Sequence, residues 1–319
     1  MTQQYLRACK ATVNGVTVDG ESFKIRFDTH QALAGTPHHI NLYIYNLAPS
    51  TIAQMRKEKG KVEVYAGYIE NPGLIFQGEA IQIRNGRESI TNTYVHVLAT
   101  SSENGRNYAT VNKALAAGHT FKDRVDLATQ SLAEYGVTVG FIDDLGSRKF
   151  PRNFVFSGMT HDLLRETCEA VGATWHIQGN RFYLLKRDTT LPGSVVVLNS
   201  DTGMVGLPEQ TLDGVIVRCL LNPRIYPGTK LQINESSIQR AAFSPSTEKS
   251  AQANNELLKD GAILGLAADG VYKAWRVEHV GDTRGQPWYT EIVCTSGEYP
   301  INMPDLMLPD NVPGDGANR

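Results

Sequence analysis

Few residues of this sequence stand at spacings that enzymes use for catalysis. The phosphate-cradling pattern G-x-x-x-x-G-K-[ST] does not occur, nor does the zinc pattern H-E-x-x-H or the nucleophile pattern G-x-S-x-G. Residues 261–265 superficially resemble part of a glycine-rich phosphate loop, but the buried strand before it and the ribose-binding acid after it are missing. We therefore predict a plain loop there and no nucleotide cofactor.

Histidine is the next residue type that could do chemistry. His38 and His39 fall in a predicted surface loop, where adjacent side chains of an extended chain point in different directions, so shared metal ligation is awkward. His96, His176 and His279 lie in or beside predicted strands, where a histidine is more often a half-buried, hydrogen-bonded residue than a catalyst. We predict no catalytic or metal-binding role for any of them.

The remaining chemical candidates are acids and thiols. Asp143 and Asp144 are neighbours, whereas the two carboxyl groups of a glycosidase must face each other across a sugar, so we interpret them as a solvated turn. The four cysteines are far apart and form no C-x-x-C pair, which indicates neither a zinc site nor a disulfide framework. We thus expect no catalytic residue, no metal and no cofactor, and we expect that the chain is not an enzyme.

The bulk composition is that of an ordinary globular protein. The chain has 319 residues, 41% of them hydrophobic and 20% charged, which is enough for two or three domains. A formal charge of −2 leaves no global positive field that would hold nucleic acid. The amino terminus lacks the apolar core of a secretion signal, and no apolar run approaches the roughly 18 residues of a membrane helix. We expect no membrane contact.

The first hundred residues read as an antiparallel sheet because apolar residues recur with a period of two between turn residues. Strands are predicted at residues 23–27, 42–45, 61–65, 81–84 and 94–98. A short helix is predicted over residues 49–59, with a capping box at Thr51 and Gln54 and its end at Gly60. These elements predict a first domain over residues 1–104.

Helical spacing appears from about residue 105. Thr120 and Thr160 are predicted N-caps of two helices that end by Gly136 and Gly172, and each helix leads into a strand. Residues 178–180 are predicted to turn the second strand into a hairpin. This pattern predicts a small α+β domain over residues 105–190.

Strands resume beyond residue 191. They are predicted at residues 195–198, 215–221, 230–233, 271–277 and 288–294, with a surface excursion near 236–265. Residues 301–319 form a Pro-rich tail that is too poor in core residues to fold alone. The predicted fold class is α+β and mainly β: two tube-like antiparallel β-barrels, the second over residues 191–300, with the small α+β domain between them.

Two stretches pair unusual turn residues with strands in a fixed order. The first is GMVGLPEQT at 203–211, followed by DGVIVRCLLNPRIYPG at 213–228; the second runs from DGVY at 269–272 through RVEHVGDTRG at 276–285 to Trp288. Together they resemble the second tube domain of baseplate hub proteins from contractile-tailed bacteriophages, in the late-control protein D and Mu-like hub group. VEVYAGY at 62–68 and IFQGEA at 75–80 resemble the first tube domain of the same family.

The resemblance implies a structural protein of the virion, located in the tail baseplate and assembled in the cytoplasm of the bacterial host. Hubs of this family are homotrimers in which each subunit supplies two barrels, so that six barrels match a hexameric tail tube on one side and a trimeric central spike on the other. The implied partners are the tail tube protein, the central spike protein and other baseplate proteins. DNA is expected to pass through transiently, without specific binding.

Five residues are candidate contacts to other subunits or to the spike. Asp282 and Arg284 lie in a turn that can equally be a plain strand connector. Met303, Leu306 and Met307 lie in the tail and would anchor it to a partner, although the tail can equally be disordered.

Two other functions stay open. One is a tail-tip cell-wall hydrolase, for which the sequence offers no motif. The other is a carbohydrate- or receptor-binding module that would stack sugars on Trp175, Trp275 and Trp288. Because all three fall in predicted strands, we predict that these tryptophans are core residues.

Overall fold

The computed structural model describes residues 6–57, 60–211, 214–233, 239–240 and 270–296. Within these ranges the chain forms one 14-stranded sheet, a three-stranded sheet, a two-stranded sheet and four α-helices, so the fold is α+β and mainly β, as predicted. Residues 261–265 and the tail lie outside the described residues, as does the predicted excursion except for residues 239–240.

The first half of the large sheet is built from seven antiparallel strands. They are β1 (Arg7–Val13), β2 (Val16–Asp19), β3 (Ile25–Ala32), β4 (His39–Tyr45), β5 (Lys61–Tyr68), β6 (Gly73–Arg87) and β7 (Thr93–Thr100). Their order in the sheet is β3-β4-β7-β6-β5-β1-β2. All five strands predicted in this region exist. In β3, β4 and β5 the alternation of apolar and polar residues matches the alternation of buried and less buried positions.

Helix α1 (Pro49–Arg56) exists as predicted, but the capping-box prediction is wrong. Its N-cap is Ala48, which makes no side-chain capping bond, and Thr51 lies inside the first turn. Proline at the start of the helix explains the difference, since its fixed φ suits the first helical position and its missing N–H needs no cap.

A middle unit follows, which we call the α+β unit (residues 103–186). Its helices are α2 (Glu103–Tyr108), α3 (Phe121–Ala133) and α4 (Thr160–Val171). Its strands are β8 (Thr110–Leu115), β9 (Thr138–Ile142), β10 (Phe154–Met159), β11 (Ala173–Gln178) and β12 (Arg181–Lys186). β8 pairs with β10, and β12 lies between antiparallel β11 and parallel β9.

The local signals of the α+β unit are mostly confirmed. Thr120 caps α3 in a reciprocal capping box with Asp123, and Gly172 ends α4 at a φ of 63°. The predicted cap at Thr160 is wrong by one residue: Met159 is the N-cap, and the Thr160 hydroxyl instead lies 2.6 Å from Ser131 Oγ in the buried α3–α4 contact. That buried polar contact gives the threonine a packing role.

The second half of the large sheet contains the remaining strands and one short 3-10 turn (Ser200–Thr202). The strands are β13 (Val196–Leu198), β14 (Glu209–Thr211), β15 (Gly214–Leu220), β16 (Lys230–Ile233), β17 (Gln239–Arg240), β18 (Val271–Asp282) and β19 (Trp288–Ser296). Their main order is β17-β14-β15-β19-β18, with β16 on the other side of β18 and β13 beside β16.

Strand β18 joins the two halves. Its first three residues pair with β16, and its last seven residues pair with β3. In the pairing with β3, Arg276 lies opposite Ala32 and Asp282 lies opposite Arg26. The register of β18 against β19 shifts between Ala274 and Arg276, so Trp275 occupies a β-bulge where the strand changes partners. The two halves are therefore one continuous sheet, and their division into two barrels stays a prediction.

Four hydrophobic clusters hold the described residues together. One lies inside the first half, one inside the α+β unit and one inside the second half. Leu221 and Trp288 from the second half belong to the first cluster. A small fourth cluster brings Leu33, Leu185 and Trp275 together from all three parts of the chain. The three parts thus share apolar contacts that stabilise their arrangement.

Candidate functional site

One face of the large sheet is polar where its two halves join. Side chains on successive residues of a strand point to opposite faces, so in β3 the residues Ile25 and Phe27 enter the core while the residues between them face the other way. From the charged, polar and aromatic side chains that the strand register places on that second face, we select a group of twelve. We call it the polar face, and it comprises Arg26, Asp28, His30, His39, Asn41, Tyr43, Arg84, His96, Arg218, Arg276, Glu278 and Glu291.

His30 is the charged centre of the polar face. Its Nε2 lies 3.5 Å from Asp28 Oδ2 and its Nδ1 lies 3.0 Å from Glu278 Oε1, across the β3–β18 pairing. The hydrogen bonds to Asp28 and then to Glu278 outweigh burial and raise the pKa of His30 to about 9. The ring is therefore an imidazolium at neutral pH.

The carboxyl groups respond in the opposite sense. Burial alone would raise the pKa of Asp28, but hydrogen bonds from His30 and Asn41 lower it below its usual value. The pKa of Glu278 is lowered in the same way, with burial opposed by His30 and Arg276. Both acids are therefore ionised at neutral pH, and each has a cationic neighbour.

The hydrogen-bonded network continues across the first half of the sheet. Asn41 donates from Nδ2 to Asp28 Oδ2 at 2.8 Å, and its Oδ1 lies 3.1 Å from His96 Nε2. Because an amide oxygen only accepts, His96 donates from Nε2 and leaves Nδ1 to accept from Arg84 Nη2 at 3.3 Å. Contacts thus run without a break from β6 through β7 and β4 to His30 on β3.

The second half of the sheet extends the same mixed charge. Arg218 Nη2 lies 2.6 Å from Glu291 Oε2, and Arg276 Nε lies 3.5 Å from Glu278 Oε1. Each acid of the polar face therefore contacts a base. The result is a broad polar surface of mixed charge, with five cations (four arginines and His30) against three acids, in which no nucleophile is paired with a general base.

The predicted contact residues Asp282 and Arg284 lie beside this face, in the turn between β18 and β19. Asp282 is buried, and its Oδ1 accepts from the backbone N–H groups of Arg284 and Gly285 at 2.9 and 2.8 Å. Lys24 Nζ lies 3.4 Å from Asp282 Oδ2, and Arg284 donates to the carbonyl of Glu21. The turn is thus fastened to the first half of the sheet, and an intersubunit role for it stays a prediction.

The other three predicted contacts, Met303, Leu306 and Met307, lie outside the described residues. Sequence analysis missed Arg7, which holds the same turn from strand β1. Arg7 Nη1 donates to the carbonyls of Asp282 and Gly285 at 2.8 and 2.5 Å, and Nη2 donates to the carbonyl of Gln286 at 3.0 Å. The guanidinium also lies 5.4 Å from the ring centre of Trp288. These contacts span more than 270 residues of sequence, so no local pattern indicates them.

The prediction of a surface loop at His38 and His39 is right only in part, because His38 lies in the loop between β3 and β4 but is buried, and His39 belongs to β4. His38 is 2% exposed and stacks on His176, whereas His39 begins β4 and stacks on His30 in the polar face. The two adjacent rings do point in different directions, as expected. His279 is a hydrogen-bonded core residue, with Nδ1 2.9 Å from Thr290 Oγ1.

His176 and Asp143 also differ from their predictions. His176 is fully buried, yet neither of its ring nitrogens has a hydrogen-bond partner among the described residues. Asp143 does more than form a solvated turn, because its carboxylate accepts from the Thr189 hydroxyl and from the backbone N–H of Lys186. Asp143 therefore fixes the segment that leaves the α+β unit.

The three tryptophans are core residues, as predicted. Trp175 and Trp275 are 6% exposed and Trp288 is 4% exposed, so their rings offer no stacking platform to a sugar. The four cysteines are buried and free. Among the described residues, no group of three or more His, Cys, Asp and Glu side chains could hold a metal ion. None of the helices in that part of the chain has the length and apolar character needed to span a bilayer.

Comparison with known proteins gives a fold relationship. No protein-family model and no curated protein matches the sequence. The 43 kDa tail protein of prophage MuSo2 from Shewanella oneidensis and the tail protein from Neisseria meningitidis MC58 both superpose with a TM-score of 0.57, at 8% and 9% identity. Each comparison covers 92% of this chain and 97% of the other.

A third solved structure shares the fold. The E. coli c3393 protein, a component of the type VI secretion system with structural similarity to the T4 bacteriophage tail proteins gp27 and gp5, superposes with a TM-score of 0.54 at 9% identity, covering 92% of this chain and 77% of that one. At such identities the likeness concerns the fold. The shared fold confirms the resemblance to phage tail proteins.

Proposed function

We propose that this chain is the structural hub of a phage tail baseplate, a homotrimer whose polar faces line the channel through which DNA leaves the virion. The observation that carries the proposal is the polar face itself, which crosses the junction of the two sheet halves without interruption. The fold shared with phage tail proteins over 92% of the chain supports it.

The arrangement of the sheet suits a ring. Each half has its own hydrophobic cluster, and the β3–β18 pairing holds the halves side by side. If each half forms one tube-like barrel, three chains supply six barrels and match a hexameric tail tube, while the trimer keeps the threefold symmetry of a central spike. The tail tube protein, the central spike protein and other baseplate proteins are the proposed partners. The place of the chain is the virion tail, after assembly in the host cytoplasm.

The charges of the polar face suit a passage for DNA. Firm binding of DNA requires cations that displace the counterions of its phosphates. Here the cationic side chains of Arg218, Arg276 and His30 are each engaged by an acid of the same face. Arg26 lies over the ring of Tyr43 and Arg84 bonds His96, so the face keeps a small positive excess. We propose that DNA passes over this mixed, wetted surface without specific binding. This is a mechanical function, and we propose no reaction for the chain.

The edges of the large sheet also favour assembly. Among the strands that the structure describes, its order ends in β2 on one side and in β17 on the other. An unpaired edge strand presents free backbone N–H and C=O groups, which invite association unless a neighbour covers them. We propose that contacts between subunits cover these edges and that exposed Arg284, beside the β18–β19 turn, contributes to them.

Native mass spectrometry of the full-length chain over a wide concentration range tests this function. We expect a trimer, either alone or after addition of the tube and spike proteins. The variant Arg284→Glu should weaken the trimer, whereas Arg56→Glu, a charge reversal of an exposed arginine on α1, should leave it intact. A chain that stays monomeric with both partners present, or that forms only rings of another order, would contradict the proposal.

A further inference from the structure

The α+β unit sits on the first half of the sheet through a buried pair of histidines, which we call the histidine joint (His38 and His176). His38 precedes β4 and His176 lies in the middle of β11. Their ring centres are 5.3 Å apart and the rings are nearly parallel, at 25°. His38 is 2% exposed and His176 is fully buried, so the contact between the two parts of the chain excludes water.

The two rings of the histidine joint differ in their hydrogen bonding: the bond from His38 to Ala32 raises the pKa of His38 against the larger effect of burial, whereas His176 has no such support. His38 donates from Nε2 to the carbonyl of Ala32 at 2.9 Å. His176 stacks on Tyr183 with its other side, at 5.1 Å between ring centres, and finds no hydrogen-bond partner for either nitrogen among the residues that the structure describes. A buried imidazolium with two unpaired N–H groups would be far more costly than a neutral ring.

The charges around the histidine joint add to this cost. His39 from β4 and Arg106 from α2 both lower the pKa of His38, and His38 in turn lowers that of His176. Burial is the largest cause in both cases; it lowers the pKa of His38 to about 4 and that of His176 well below its usual value. A positive charge on either ring therefore disfavours one on the other.

The neighbouring contacts between the two parts of the chain are mostly uncharged. Ser101 Oγ donates to the carbonyl of Ile177 at 3.0 Å, and a Cβ built on Gly35 would lie 3.3 Å from the ring of Trp175. Arg106 adds a hydrogen bond to the carbonyl of Gly35. Arg106 is itself a cation. Two carboxylates also bridge the two parts, since Glu103 accepts from Thr100 Oγ1 and Glu79 accepts from Asn104 Nδ2, each at 2.7 Å. Neither acid is among the groups that shift the pKa of His38 or His176.

We propose that the histidine joint is an acid-sensitive seat, in which protonation of His38 and His176 releases the α+β unit from the first half of the sheet while each part stays folded. A histidine whose pKa is depressed in the folded chain stabilises the docked state above its ordinary pKa and loses that contribution as pH falls. The transition is therefore expected between about pH 6.5 and pH 4, in the direction of release on acidification.

Oxidative footprinting of the full-length chain at pH 7 and pH 4.5 tests whether acid releases the α+β unit at the histidine joint. Trp175 lies at the joint, whereas Trp288 lies in the core of the first half and serves as an internal control. We expect the labelling rate of Trp175 to rise roughly tenfold or more at pH 4.5, since each pKa unit corresponds to a tenfold change in the equilibrium. The labelling of Trp288 should stay low.

Substitutions show whether the two histidines are responsible. His176→Phe keeps the ring stack and removes the titratable group, so its Trp175 should stay protected at pH 4.5; His38→Gln, which keeps a donor for Ala32, should shift release to lower pH. His119→Gln, in the α+β unit but stacked on Phe150 away from the joint, should respond like the unaltered chain. Protection of Trp175 at pH 4.5 in the unaltered chain would overturn the proposal. So would equal labelling of Trp175 and Trp288, which means global unfolding, or an acid response that His176→Phe does not change.

Discussion

His30 and Glu278 meet across the strand pair that joins the two halves of the large sheet, with Nδ1 and Oε1 3.0 Å apart. The two residues are 248 positions apart in sequence. Asp28 on the same strand as His30 completes a carboxylate–imidazolium–carboxylate arrangement in the polar face. Titration of His30 therefore reports directly on whether the two halves are paired as described.

The first prediction concerns the pKa of His30. Asp28→Asn should lower it from about 9 further than Glu278→Gln does, because the hydrogen bond to Asp28 is the larger cause of the raised value. Glu291→Gln, two strands from His30 and paired with Arg218, should leave it unchanged. Histidine resonances followed by NMR across the pH range measure this shift.

The same pKa decides how the contribution of His30 to stability changes with pH. Since the folded chain holds His30 protonated up to about pH 9, its contribution to stability is fully present below the ordinary histidine pKa and is lost as pH rises through 9. The side chain is 40% exposed, so this contribution is small. If His30 in the unaltered chain titrated near pH 6.5, the result would show that Asp28 and Glu278 do not raise its pKa.

The second prediction concerns the clamp of Arg7 on the β18–β19 turn. Arg7→Met keeps a stem over the ring of Trp288 but removes the three hydrogen bonds to the turn, so the free energy of unfolding should fall by about 1 kcal/mol or more. Arg56→Met removes a different exposed arginine, which bonds the Asn85 side chain, and should have less effect. Urea denaturation of both variants makes the comparison, and equal losses would argue against a clamp.

The third prediction concerns the packing of Gly281 in β18. A Cβ at this position would lie 2.3 Å from the ring of Phe27 and 2.9 Å from that of Trp288, both of which are buried. Gly281→Ala should therefore destabilise the chain by roughly 1–3 kcal/mol, the usual cost of overpacking. Gly158→Ala is the matched control, because the nearest atom to its Cβ would be 3.4 Å away. Thermal unfolding measures the difference, and equal melting temperatures of the two variants would contradict the account.

The fourth prediction concerns the helix caps. Thr120→Ala removes the capping box of α3 and should cost about 1 kcal/mol, whereas Thr51→Ala in α1 removes no cap and should cost little. Circular dichroism during denaturation measures the two free energies of unfolding. If Thr51→Ala lowered the free energy of unfolding more than Thr120→Ala does, the result would support the capping box that the sequence predicts at Thr51.

Local patterns predicted the local structure well. The alternation along β3 and β5, the capping box of α3 and the hairpin turn at Gly179 and Asn180 all depend on residues close in sequence. Gly179 and Asn180 have φ values of 55° and 57°, as a two-residue hairpin turn requires. These features need no knowledge of the rest of the chain.

Long-range contacts were beyond the same reasoning. The pairing of β18 with β3 decides which polar residues share a face, and nothing near either strand encodes that choice. His38 follows Pro37 in a loop, so the sequence predicted it at the surface, but the α+β unit covers it. The His30–Glu278 contact of the polar face and the histidine joint both connect residues more than a hundred positions apart, so sequence patterns could name these residues without placing them together.

Cryo-electron microscopy of the full-length chain assembled with the tail tube and spike proteins tests the central claim most directly. The account predicts a ring of three chains in which the polar face, with His30 and Glu278 at its centre, is turned toward the threefold axis and lines an open channel. A ring in which that face is turned outward, or is buried against a neighbouring subunit, would contradict it.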